Sequence, residues 1–324
     1  MSYRIRMGPR EVLFVYLSFL RYNYHLILRR FCIDKKLKDE NLKIAIQKDG
    51  RLTNESIKTL RSMGIEFEIY NRKLFAISRD FPIDILFCRD DDIPGYVESG
   101  VADVGIVGQN IIQESKSKVA EIIKPGFGHC NLSIAVPKES KVSTAEELRG
   151  KRIATSFPST AQQYFSRLNI PVDIITISGS VEITPALGVS DAIVDIVASG
   201  STLTLNDLRQ IDVITETEAV LIRGNKKLSG GKENLLLQMI ARLEAVLAAK
   251  NMKYVMMNAP KDSLGKIKQI APGLNAPTVT ELTKPDWIAI HAVMNENAFW
   301  SIADELKTLG ACDILVLPIE KVVV

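Results

Sequence analysis

Residues 82–110 read PIDILFCRDDDIPGYVESGVADVGIVGQN, and their pattern decides the fold class. Residues 83–88 form a short, mostly apolar run of the kind that makes a strand buried on both faces. The acids Asp90, Asp91 and Asp92 follow at its carboxyl end, where negative charge suits the start of a helix and could equally meet a cation. Residues 101–107 (VADVGIV) are a second such strand, and a helix begins near Asn110. Buried strands alternating with helices predict a largely parallel sheet with helices on its faces. Ligands in such folds lie beyond the carboxyl ends of the strands.

The same alternation extends both ways. Residues 42–47 (LKIAIQ) predict a half-buried strand, and Thr53 opens a helix that Gly64 stops. Residues 65–69 alternate as a second strand. A second run of units starts near Leu132, with strands at 132–136, 152–155, 173–177 and 192–197 and a helix at 159–168. Residues 224–231 (GNKKLSGG) read as a linker. A long helix over 233–250 comes next, and then strand, helix, two strands, helix, strand, which is the ferredoxin-like order.

Composition excludes several classes. The four cysteines and three histidines are scattered, so neither a disulfide framework nor a zinc site is expected. A net charge of +3 over 324 residues makes no basic face and by itself argues neither for nor against nucleic acid; on the whole reading, neither a nucleic acid nor a membrane is expected as a partner. Residues 12–20 (VLFVYLSFL) are strongly apolar but too short to span a bilayer, which takes about 20 residues. No small-residue cleavage site follows them. Residues 1–40 therefore read as an appendage, and the rest of the chain reads as a cytoplasmic enzyme. There is no GxGxxG, Walker A or GxSxG motif, which removes dehydrogenase, P-loop kinase and serine hydrolase readings.

The strongest local candidate is residues 179–203, GSVEITPALGVSDAIVDIVASGSTL. Ala198, Ser199, Gly200, Ser201 and Thr202 follow an apolar strand and precede a helix. Outward N–H groups, a glycine and hydroxyls at such a turn suit a phosphate monoester. Asp191 and Asp195, on the same strand, could hold ribose hydroxyls or a metal ion. A helix N-cap with solvated acids is an equal reading of the same residues. Lys48, Gly50 and Arg51 at the exit of the first strand suit a polyphosphate; a solvated charged turn is the alternative there. Residues 155–160 (TSFPST) open a helix with hydroxyls, a weaker anion signal.

Taken together, QKDGRL (47–52), residues 82–110, KRIATSFP (151–158), residues 179–203, KYVMMNAP (253–260), PGLNAPT (272–278) and LGACDILVLPIEK (309–321) resemble the long form of the ATP phosphoribosyltransferases. The resemblance runs from about Leu42 to the C-terminus. It implies an α/β fold with a two-domain catalytic part like a type II periplasmic binding protein and a C-terminal ferredoxin-like (ACT-like) regulatory domain. Domain I would comprise 41–131 and 212–224, domain II 132–211 and the regulatory domain 225–324. The implied reaction joins ATP, through N1 of adenine, to phosphoribosyl pyrophosphate, releasing pyrophosphate, as the first step of histidine biosynthesis. It also implies magnesium, held by Asp191 or Asp195, a hexamer built from dimers, and feedback inhibition by histidine, with AMP left open as a second effector. Glu182, Asp191 and Asp195 would be catalytic, residues 198–202 would hold the 5′-phosphate, and Lys48, Gly50, Arg51, Arg89 and Asp90 would bind ATP. Histidine would meet Asn258, Leu274, Thr278 and Asp313.

Overall fold

The computed structural model of the protein describes residues 40–69, 74–198 and 200–323. The reading of residues 1–39 as part of an appendage, and that of Ser199 as a phosphate ligand, lie outside the described residues.

The first sheet has six strands in the order β2-β3-β1-β4-β11-β5. β1 (Leu42–Gln47) lies parallel to β3 (Ile83–Cys88) and β4 (Val104–Gly108). Both faces of these strands are covered, which is why β3 and β4 read as near-continuous apolar runs. β1, expected to be half-buried, is instead buried along nearly its whole length. α1 (Thr53–Ser62) and α6 (Gly230–Ala249) cover one face, where Leu236, Met239 and Leu243 join the Ile44, Ile83 and Ile85 core. α2 (Ile93–Ser99) and α3 (Gln109–Ser115) cover the other. The 65–69 strand is corrected: Ile65 and Phe67 are buried as their alternation suggests, but the segment makes one isolated bridge, Phe67 to Ser78. The edge strand is instead β2 (Phe75–Ile77), antiparallel to β3.

The second sheet has five strands, β10-β6-β9-β7-β8. β7 (Arg152–Thr155) runs parallel to β8 (Asp173–Thr176) and β9 (Ala192–Val197), and α4 (Pro158–Arg167) follows β7. β6 (Cys130–Pro137) is antiparallel to β9 and to β10 (Leu208–Thr217). The chain enters this sheet between β5 (Val119–Ile123) and β6 and returns between β10 and β11 (Ala219–Gly224). The return, expected from Asp212, comes at Glu218, because β10 keeps its ladder with β6 as far as Thr217 opposite Cys130.

The third sheet is antiparallel, in the order β13-β14-β12-β15. It comprises β12 (Met252–Pro260), β13 (Thr278–Glu281), β14 (Trp287–Asn295) and β15 (Cys312–Pro318). α7 (Leu264–Ile270) and α8 (Glu296–Thr308) cover one face through Ile267, Phe299 and Leu306. This is the ferredoxin-like arrangement expected from the order of elements. The long helix α6 that leads into it is fastened to the first sheet: Lys232 pairs with Asp103 at 2.7 Å, and Arg223 grips Glu233 with both arms.

Candidate functional site

Two crossover segments side by side join the first two sheets, and the candidate site is built around them. Ala219 N–H donates to Phe127 O at 3.1 Å, and Gln109 N–H to Glu218 O at 3.1 Å. Buried Asn110 donates its N–H to Thr217 Oγ1, which donates to Asn110 Oδ1. Gly128 sits in this crossover at φ +75°, and a Cβ there would lie 2.5 Å from Leu52 Cδ2. Both the backbone angle and the close approach therefore call for glycine.

Arg51 reaches the same place from the exit of β1. Its Nη1 donates to Gly128 O at 2.6 Å, and its charge lies close enough to Cys130 to oppose the upward push of burial on that thiol. Gln47, at the end of β1, accepts from Leu52 N–H at 2.9 Å and donates to Asp90 at 3.0 Å. That side chain fills the turn so closely that a Cβ on Gly50 would fall 2.4 Å from Gln47 Nε2. Gly50 and Asp90 thus shape the turn that carries Lys48 and Arg51. Lys48 lies 3.7 Å from Asp49, and Arg89 is exposed at the end of β3. Residues 90–92 form a 3₁₀ turn leading into α2, so the acids do occupy a helix start. Burial, with Asp90 and Asp92 as neighbours, raises the Asp91 carboxyl above the ordinary range.

The second sheet contributes the carboxyl end of β9. Val197 pairs with Asn131, just past the crossover, so β9 ends beside the Gly128 region that Arg51 touches. Gly200 is left-handed at φ +76°, and nothing lies within 4 Å of where its Cβ would point. Ala198, Ser201 and Thr202 are exposed, and Ser201 opens the short helix α5 (Ser201–Leu205).

Asp195 faces the turn at Val181–Ile183. Burial, assisted by the Glu182 charge, pushes its carboxyl up to about 6 against one opposing hydrogen bond from Ile196 N–H at 2.8 Å. Asp195 and Glu182 are thus brought within electrostatic reach of each other, near the carboxyl end of β9.

Asp191 is not. It stands before β9, roughly 13 Å of extended chain from Asp195 and on the side away from the turn. Its carboxylate accepts from Arg152 N–H, Nε and Nη2 at 2.9, 3.3 and 3.2 Å, which holds it below the usual carboxylate range. This geometry favours a structural part for Asp191 over the catalytic and metal roles expected of it: the pairing of β7 with β9 puts Asp191 opposite Arg152, at the amino ends of parallel strands. The variant Asp191→Ala should lose on the order of 1 kcal/mol of stability, since this pair is largely exposed. It should keep turnover within about threefold; a loss beyond tenfold in folded protein would return Asp191 to the catalytic site.

In the third sheet, Asn258 Nδ2 donates to Asp313 at 3.0 Å. Thr278 pairs with His291, and His291 with Met256, so Thr278 shares the open face with Asn258 but lies across β14, roughly 10 Å away. Leu274 is 56% exposed in the loop before β13.

Sequence reasoning missed Glu114 on α3. It bonds to the start of α4, 45 residues on, and no local signal could have found it.

Comparison with known proteins places these features in a family. A family model described as ATP phosphoribosyltransferase matches residues 89–245, and one described as "HisG, C-terminal domain" matches residues 249–321. An ATP phosphoribosyltransferase of Cytophaga hutchinsonii is 45% identical over 87% of this chain and 98% of its own. The one from Parabacteroides distasonis is 44% identical over 87% of this chain and all of its own length. Among solved structures, a chain of the ATP phosphoribosyl transferase (HisG:HisZ) complex from Thermotoga maritima is similar at 30% identity and TM-score 0.55, covering 63% of this chain and 96% of that one. Such identity along nearly the whole length of two relatives, over both catalytic sheets and the C-terminal one, shows that the chain belongs to the ATP phosphoribosyltransferase family.

Proposed function

We propose that the cleft between the first two sheets is where ATP meets phosphoribosyl pyrophosphate, and that the third sheet is a histidine-binding regulatory domain. As a family member the chain is a pentosyltransferase acting at the first step of histidine biosynthesis. The phosphate turn carries the placement: Gly200, Ser201 and Thr202 offer open backbone and hydroxyls at a carboxyl strand end, with Asp195 and Glu182 beside them.

In this reading residues 198–202 hold the 5′-phosphate, and Asp195 with Glu182 faces the ribose. Lys48, Arg51 and Arg89, at the carboxyl ends of β1 and β3, neutralise ATP phosphates from the opposite sheet. N1 of adenine attacks C1′ as pyrophosphate departs, with inversion, and positive charge grows on the ribose ring. Carboxylates nearby stabilise that charge, and two facing sheets hold the reactants in line. N1 is already a lone-pair nucleophile, so the attack needs no base.

Magnesium fits the residues present as an ion carried on substrate phosphates. Mg²⁺ commonly takes one or two protein carboxylates plus phosphate and water, and Asp195 and Glu182 supply that number. Among the described residues no group of three or more His, Cys, Asp and Glu forms a cage that would compete. When bound, the ion neutralises the leaving pyrophosphate. Cytoplasmic residence and a hexamer belong to the same proposal. Among the described residues no helix is long and apolar enough to cross a membrane.

The test is pyrophosphate release by the full chain given ATP, phosphoribosyl pyrophosphate and magnesium. Release that needs both substrates supports the reading, and none from folded protein overturns it. Histidine should suppress the release. Thr278→Tyr, which places a bulky ring on the face shared with Asn258 and Asp313, should weaken histidine inhibition at least tenfold at unchanged kcat. Unaltered inhibition in that variant would remove the third-sheet face as the effector site.

A further inference from the structure

Glu114 lies at the last turn of α3, on the first sheet's side of the molecule. Its two carboxylate oxygens are spent on the second sheet. Oε1 accepts from Ser159 N–H at 2.8 Å, and Oε2 accepts from Thr160 N–H and Thr160 Oγ1, each at 2.8 Å. Ser159 and Thr160 are in the first turn of α4, behind Pro158. Their N–H groups have no partner within the helix, and the positive end of the helix dipole favours a carboxylate there. The start of α4 is thus filled by a residue from the other side of the cleft.

This contact bears on the reaction through the neighbouring strand. α4 begins directly after β7, and β7 pairs in parallel with β9, Thr155 opposite Val194. The start of α4 therefore stands at the same carboxyl end of the sheet where β9 finishes, on the face opposite Asp195 and Val181. Holding α4 to α3 sets how far the phosphate turn lies from Lys48, Arg51 and Arg89. The two sheets are joined by the crossovers and by a shared apolar cluster that includes Ile111, Phe157 and Ala161; Glu114 adds a polar tie away from the crossover strands.

We infer that Glu114 is a positioning residue for phosphoribosyl transfer: it clamps the start of α4 and so keeps the two halves of the cleft at the separation that both substrates must bridge. It touches neither substrate. The inference rests on the cleft being the site of transfer. Without the clamp, the bridging-competent arrangement is a smaller fraction of the population, and apparent affinity falls by that fraction.

The experiment is steady-state kinetics of the full chain as Glu114→Ala, Glu114→Gln and Glu114→Asp, with amide hydrogen exchange on α4. In Glu114→Ala the KM for both substrates should rise about tenfold while kcat falls no more than about twofold. Exchange at Ser159 and Thr160 should quicken without a matching change in β7. Glu114→Gln keeps one acceptor oxygen and should recover part of the KM. A variant that keeps the wild-type KM, or loses kcat alone, overturns the inference, because a purely structural residue lowers the active fraction and leaves KM unchanged. Should Glu114→Ala fail to fold, Glu114→Gln and Thr160→Val, each removing part of the clamp, decide the matter by the same KM shift. A wild-type chain without pyrophosphate release would instead overturn the cleft reading itself.

Discussion

Replacing Gly200 with alanine is expected to raise the KM for phosphoribosyl pyrophosphate by about a hundredfold or more, at little cost to the fold. The backbone at Gly200 is left-handed, φ +76°, and an alanine there costs about 1–2 kcal/mol. Nothing in the protein lies within 4 Å of the added methyl group, so no clash within the chain enlarges that cost. The methyl would project into the space assigned to the 5′-phosphate. Displacing a phosphate from two or three charge-assisted hydrogen bonds, each worth about 1.5–3 kcal/mol, removes at least a hundredfold in affinity. A melting scan and a KM measurement on one preparation separate the two effects. A KM within about threefold of wild type would move the phosphate away from this turn.

Replacing Asp195 with asparagine should make the protein more stable at pH 8 and nearly inactive. Burial pushes the Asp195 carboxyl up to about 6, above its value in the unfolded chain. The fold therefore favours the protonated acid. Its contribution is fully present below about pH 4 and is lost as pH rises through the folded value. At pH 8 the wild-type protein carries a half-buried charge that asparagine lacks, so the variant should gain on the order of 2 kcal/mol, or a few degrees in Tm. The gain should shrink as pH falls from 6 to 4 and be gone below that range. Asparagine keeps the oxygen that accepts from Ile196 N–H, so the turn survives. Loss of the carboxylate proposed to face the ribose should lower kcat/KM by about a hundredfold or more. Normal turnover would remove Asp195 from the site. A variant no more stable at pH 8 than the wild type would refute the burial argument.

Stabilisation with loss of activity is the signature of a group kept for chemistry, and Asp191 makes the contrast. It pairs with Arg152, is lowered in pKa, and supports the fold at neutral pH. Its contribution is present above the ordinary carboxylate range and fades as pH falls below it. Asp191, just before β9, and Asp195 within it are four residues apart and are thus expected to play opposite parts. Their spacing carries no information about which is which, since both stand on the same sequence pattern of acid beside apolar strand.

Much of the architecture was legible because it is written in local periodicity. Residues 42–47 and 83–88 become β1 and β3 at those bounds, the first read from its alternation and the second from its almost wholly apolar run, although β1 proves buried on both faces. The order of elements after Lys250 indicated the ferredoxin-like sheet, whose strands and helices each carry their own face pattern. The 65–69 segment misled because alternation reports which side chains are buried, and a loop can bury Ile65 and Phe67 without a ladder.

The chain's own pattern was sufficient for its fold class and for the family to which it belongs, and it singled out the turn at Gly200 proposed to hold the phosphate, since each depends on residues close together in sequence. The partners of those residues were settled by folding. The distance from Asp191 to the turn, the approach of Glu182 to Asp195, the seat of Arg51 on Gly128 and the grip of Glu114 on α4 all result from strand pairing and from the two crossovers. These contacts join residues up to 77 positions apart, as Arg51 and Gly128 are. Geometry at that range is set by which faces must be buried against one another, a property of the packed chain that no single segment contains.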